Sequence, residues 1–130
     1  MRFSRASVRP ESTPKPRKME IATMSTLNMN MTIENRTQQT TFQLVNYKGC
    51  LQPVSVIAPG GNGPVQAQSD FGISGYVTYQ STVNSAENFT INFDMPLVGH
   101  NKFTATTAKC NSTISNTGGY TANPLVEITD

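Results

Sequence analysis

The chain has no tryptophan, one histidine, two cysteines and few charges, and each scarcity removes a class of function. Catalysis draws on grouped titratable side chains. From Met24 onward there are only His100, six carboxylates and four cations, with no recognisable grouping, so an enzyme is not expected. His100 has no second histidine or cysteine at ligand spacing, so no metal site and no cofactor is expected. Cys50 and Cys110 fit neither a metal motif nor a C-x-x-C redox pair. They read as small buried thiols, with a single disulfide as the alternative in an oxidising compartment. No run approaches the ~20 apolar residues of a membrane-spanning helix, and the first residues lack the apolar stretch of a secretory signal. As written, the chain is expected to be cytoplasmic, with unconventional secretion as the other route. Sequons at Asn30, Asn35, Asn88 and Asn111 are no more than an Asn- and Thr-rich chain supplies by chance.

What charge there is lies unevenly. Six of the ten basic residues (Arg2, Arg5, Arg9, Lys15, Arg17 and Lys18) precede residue 19. From Met24 onward, Arg36, Lys48, Lys102 and Lys109 face Glu34, Asp70, Glu87, Asp94, Glu127 and Asp130, which leaves the body at −2. A body of that sign is no partner for nucleic acid, whose recognition needs clustered cations. Prolines 10, 14 and 16 and the scattered charges cannot build a core, so residues 1–23 are expected to form a disordered tail and residues 24–130 a single domain.

Periodicity sets the fold class. Leu27, Met29, Met31 and Ile33 alternate with Asn28, Asn30 and Thr32, and Phe89, Ile91 and Phe93 alternate with Thr90 and Asn92. Period two marks half-buried strands, with the methionines filling core. The segment T-T-F-Q-L-V-N-Y after the polar E-N-R-T-Q-Q turn reads as the hairpin partner of the first strand. Gly60, Gly61 and Gly63 are turn chemistry, since no Lys-Ser/Thr pair or helix follows them. Short strands at about ten-residue spacing predict an all-β antiparallel sandwich of about 7–9 strands.

The stretch from Ile57 to Phe103 carries a resemblance. I-A-P-G-G-N-G, then Q-A-Q-S-D-F-G-I-S-G-Y-V-T-Y, then F-T-I-N-F-D-M-P-L-V-G-H-N resembles the central pattern of the aegerolysins, and the order of a proline turn, G-x-V-x-Y and F-x-x-P is similar to that of the actinoporins. The resemblance implies a β-sandwich that binds membrane lipids. Val77, Tyr79 and Pro96 match the pattern, while Leu97 to Lys102 occupy the stretch where those families place aromatic residues. The residues before Leu27 offer no amphipathic helix of the kind that builds actinoporin pores. Recognition rather than autonomous pore formation is therefore expected, with a larger partner protein or a homo-oligomer as the form any lytic assembly would take.

The candidate lipid-binding set is Phe71, Tyr79, Asp94, Pro96, Leu97, Val98, His100, Asn101 and Lys102, directed at a membrane lipid headgroup such as that of a sphingolipid. Pro96 and Gly99 bracket Leu97 and Val98, which are either an interfacial wedge or the lid of the core. Asp94, His100, Asn101 and Lys102 would form the polar rim. Asp70 and Asp94 read as turn-stabilising carboxylates. The rival reading is a lectin-like or effector protein that holds a glycan or a protein with Asn101, Asp94 and Tyr79.

Overall fold

The computed structural model describes residues 25–130, so the expected tail, with Met24, lies outside the described residues. Ten strands follow: β1 (Leu27–Asn35), β2 (Phe42–Lys48), β3 (Val56–Ile57), β4 (Asn62–Ser69), β5 (Gly72–Ser81), β6 (Asn88–Pro96), β7 (Lys102–Ala108), β8 (Asn111–Ser115), β9 (Thr121–Ala122) and β10 (Leu125–Thr129). The count exceeds the expected 7–9 because β3 and β9 are two-residue pairings too short to leave a periodic trace. One sheet runs β4-β1-β10-β8, with β9 also on β1, and the other runs β3-β2-β5-β6-β7. The antiparallel expectation holds for most pairs, but β1 pairs in parallel with both β9 and β10.

The expected hairpin between the first two strands does not exist. β1 and β2 belong to opposite sheets, because the connection between them crosses the sandwich instead of folding back. Asn35 makes the crossing. Its buried Nδ2 donates to the carbonyls of Thr40 (2.8 Å) and Ile57 (3.0 Å). Its Oδ1 accepts from the Thr37 amide and hydroxyl at 3.1 and 2.6 Å. All four lone-pair and donor sites are used, which removes the burial penalty of an amide and excludes this sequon from glycosylation in the folded state.

Alternation delivers the core as expected. Leu27, Met29, Met31 and Ile33 of β1 meet Phe89, Ile91, Phe93 and Met95 of β6, all almost fully buried. Phe89 is the hub: its ring lies edge-on to Phe42 at 4.9 Å between centroids and stacks on Tyr79 at 5.5 Å. Pro64 is tolerated within β4 because that strand is a sheet edge, where no ladder donor is needed on the outer side. Both cysteines are free, and burial pushes both thiols up, which makes them poor nucleophiles.

Tyr79 is 0% exposed and donates its hydroxyl to the Val54 carbonyl at 2.7 Å. Burial, with the Cys50 thiolate adding to it, pushes its hydroxyl from 10.0 up to about 12. A raised value means that the fold favours the neutral phenol. That stabilisation is complete below pH 10 and is lost as the pH climbs toward 12. Urea midpoints measured across that window should fall for the wild type and fall less steeply for Tyr79→Phe; equal slopes would refute the assignment.

Candidate functional site

Four separate stretches of chain converge on one end of the sandwich. The β4–β5 turn holds Asp70 and Phe71, the β6–β7 turn holds residues 97–101, the stretch before β9 holds Gly118 to Tyr120, and the chain enters β1 there through Ser25 and Thr26. Pairing of Gly72 with Pro96 sets the first two turns side by side. Hydrogen bonds tie in the others. The Thr26 amide donates to Asp70 Oδ1 at 2.9 Å, and the Asn28 amide donates to the Tyr120 carbonyl at 2.8 Å. Asn101 Nδ2 donates to the carbonyls of Thr117 and Gly119 at 2.8 and 2.9 Å.

Each turn has a local cause. Ser69 Oγ accepts from the amides of Phe71 and Gly72 at 3.0 and 3.1 Å, a tight side-chain turn that leaves Phe71 at its apex. In the neighbouring turn Pro96 ends β6, and Gly99 supplies the left-handed return at φ 112°. The consequence is apolar exposure. Phe71 and Val98 are each 86% exposed, Tyr120 58% and Leu97 37%. The lid reading therefore does not describe Val98, whereas Leu97 is only partly exposed and rests partly against the protein. Beside them, Gly99, His100, Asn101, Gly118, Gly119 and Tyr120 line an open cleft of about 240 Å³.

Most of the expected site residues do meet here. Phe71, Pro96, Leu97, Val98, His100, Asn101 and Lys102 all lie on this end. Asp94 is exposed two residues inside β6, on the outer face in register with Lys102. It is a strand residue and not the turn carboxylate expected; Asp70 does lie in a turn, but its carboxylate accepts from the distant Thr26 amide while Ser69 Oγ holds the turn itself. Tyr79 is a correction. It sits seven residues along β5 from Gly72, toward the opposite end, and its ring is enclosed by Phe89. V-x-Y places it on the inward register with Val77, so it touches no ligand at the surface. The aromatic residue absent from the expected set is Tyr120. Its signal was the N-T-G-G turn just before it, which places a ring on a loop rather than in a strand.

The electrostatics of the two ends differ. At the far end lie Glu34, Glu87, Glu127 and Asp130, with Arg36 donating to Glu34 at 3.0 Å and to Glu127 at 3.1 Å. Among the described residues no cluster of three or more His, Cys, Asp or Glu side chains is arranged to hold a metal ion.

No protein-family model matches the chain, and none of the curated proteins matches it. Solved structures do. IP-1A from Alcaligenes faecalis superposes with a TM-score of 0.54 at 11% identity, over 81% of this chain and 91% of that one. The wild-type Xerocomus chrysenteron lectin XCL gives a TM-score of 0.49 at 10% identity, over 79% of this chain and 99% of that one. At these identities the likeness to IP-1A shows the fold alone, a two-sheet β-sandwich, and it does not single out the aegerolysins among such folds.

Proposed function

We propose that this protein recognises membrane lipid, dipping Phe71, Leu97 and Val98 into the interface and holding a headgroup in the adjoining cleft of His100, Asn101 and Tyr120. The observation that carries the reading is the gathering of exposed Phe71, Leu97, Val98 and Tyr120 from three different connections onto one end. Scattered surface apolar residues need no explanation, but a cluster at the apex of tight, well-bonded turns does. A tyrosine at the edge of such a cluster suits the boundary between acyl chain and water. The aegerolysin and actinoporin resemblance supports the same target, with sphingolipid headgroups as the first candidates and recognition, not autonomous pore formation, as the activity. Any lysis would then need a homo-oligomer or a larger partner protein. The chain acts by binding, without catalysis or cofactor, and is reached from the cytoplasm or after unconventional secretion.

The test is vesicle co-sedimentation with phosphatidylcholine and sphingomyelin, using wild type and Phe71→Ser/Val98→Ser. Burying a phenylalanine or valine side chain is worth about 1.5–3 kcal/mol, so the double variant should lose about 100-fold or more in vesicle affinity. Its melting temperature should stay within a few degrees of wild type, since both side chains are exposed. Wild type that pellets with no neutral or sphingolipid vesicle would remove the reading.

A second reading rests on the cleft itself. An exposed aromatic ring beside an amide and an imidazole is a workable glycan platform, with Tyr120 in the place first assigned to Tyr79. A glycan array separates the two, because a glycan binder would lose binding with Tyr120→Ala and keep it with Phe71→Ser/Val98→Ser.

A further inference from the structure

We infer that this chain forms a symmetric dimer through the side of the sandwich that carries β2 and β3, with Val45, Tyr47, Leu51, Val54 and Val56 packed against the same residues of a second copy. The inference is independent of the lipid reading, which uses the end of the sandwich and not its side.

The first observation is a second gathering of exposed apolar side chains. Leu51 is 67% exposed, Val45 and Val56 about half, and Tyr47 and Val54 each more than a third. Pairing makes them neighbours. Val56 lies opposite Gln43, and the Leu44 amide donates to the Ser55 carbonyl at 2.8 Å, which brings Val54 alongside Val45. The chain then bridges the open side between the two sheets, where the Leu51 amide donates to the Gln66 carbonyl of β4 at 2.8 Å. Val54 and Ile57 close against Gly63 of β4, where a β-carbon would meet their side chains at 3.2 and 2.5 Å. The strip is therefore a wall tied to both sheets.

The second observation is its size. The five exposures amount to roughly 400 Å² of apolar surface, and a stable dimer buries roughly 800 Å² on each partner, a little over half of it apolar. The strip meets that apolar share, with exposed Asn46, Gln52 and Ser55 as the polar rim. The third observation is charge, and it selects the partner. A twofold contact sets a surface against itself, so any charge on it meets its own sign. A different protein could answer a charged rim with the opposite sign, but a second copy cannot. From Gln43 to Ser69 the sequence has one charged residue, Lys48, at the last position of β2.

The contact is made by side chains and not by a continued sheet. Val45 is bulged out of register, and Asn46 Oδ1 accepts from the Tyr47 amide at 2.9 Å, so two β2 edges cannot zip together. Closure about a twofold axis also stops assembly at two copies.

Sedimentation velocity of the full chain at about 1 to 100 μM tests this, with a dimer of micromolar or tighter Kd expected. Val45→Glu/Leu51→Glu should weaken it at least ~100-fold, because each substitution enters the contact twice, and should melt within a few degrees of wild type. Phe71→Ser/Val98→Ser should remain as dimeric as wild type. Hydrogen exchange needs no variant: wild-type amides at residues 45–56 should exchange more slowly as concentration rises through the dimer range, while those at Phe71 and Val98 keep their rates. A wild type that stays monomeric at about 100 μM, a Glu variant that dimerises like wild type, or exchange at 45–56 that ignores concentration overturns the dimer and leaves the lipid reading standing. A dimer abolished by Phe71→Ser/Val98→Ser also overturns it, and assigns the contact to the apolar end.

Discussion

Gly75→Ala is expected to destabilise the domain by about 3 kcal/mol or more, enough to leave much of it unfolded at working temperatures. A β-carbon at Gly75 would overlap the Lys48 carbonyl oxygen and lie 2.7 Å from its carbon and 3.0 Å from the Gly49 Cα. These are backbone atoms, so no side-chain rotation relieves the clash. Gly49 faces the same crossing from the other strand, at φ 79°, and its own β-carbon would overlap the Ser74 carbonyl. The two glycines let β2 and the start of β5 come together where the chain leaves the sheet. Gly72, three residues earlier, is the control: a β-carbon there meets nothing nearer than the Met95 carbonyl oxygen at 3.7 Å. Gly72→Ala should change stability by less than about 1 kcal/mol. Urea denaturation of the two variants decides the matter, and coincident midpoints would show that the strands separate without cost.

Phe89→Ala is expected to cost about 3–5 kcal/mol, a fall in melting temperature of at least ~12 °C for a domain of this size. The side chain is fully buried on β6, between β5 and β7, and its removal empties the space between Phe42 and Tyr79. Neither neighbour can collapse into the gap freely. Phe42 is held by pairing with Ser81 and Ile57, and Tyr79 by its bond to the Val54 carbonyl. The adjacent Thr90 points outward, where its hydroxyl meets that of Thr78 at 2.8 Å. Thr90→Ala loses one half-exposed hydrogen bond, about 1 kcal/mol or less. Losses of similar size for Phe89→Ala and Thr90→Ala would contradict the inward register of β6.

These two sites also show what could be read from the residues. The alternation through Phe89, Ile91 and Phe93 identified a strand and its buried face, because period two has a direct physical meaning. It says nothing about the neighbour. The run Phe42 to Tyr47 was therefore legible as a strand but not as a member of the opposite sheet, since that depends on Asn35 folding its side chain inward across the loop. The turn at Leu97 and Val98 was legible for a local reason, since the proline and glycine around them forced it, but whether those side chains were covered depended on packing that the turn does not set. Tyr79 misled because a strand signature gives no depth, and a residue drawn from a resemblance was buried by the register that made the strand. Tyr120 escaped because one ring on a loop has no periodic signal at all.

The pairing of β1 has a kinetic meaning. Its left neighbour is β4, but its right neighbours are β9 and β10, with Thr32 lying against Leu125 and Asn35 against Ile128. During synthesis the strand that begins the domain emerges with its inner side chains Leu27, Met29, Met31 and Ile33 and waits for a partner from the other extremity. Only when Leu125–Thr129 is free of the ribosome can the middle of that sheet close. Pairings so distant in sequence carry the full entropy of closing a domain-sized loop before they return any stability, which places this sandwich among slow folders. Until that moment β1 presents an unpaired hydrogen-bonding edge beside a row of apolar side chains, so the domain is at its most aggregation-prone before β10 docks.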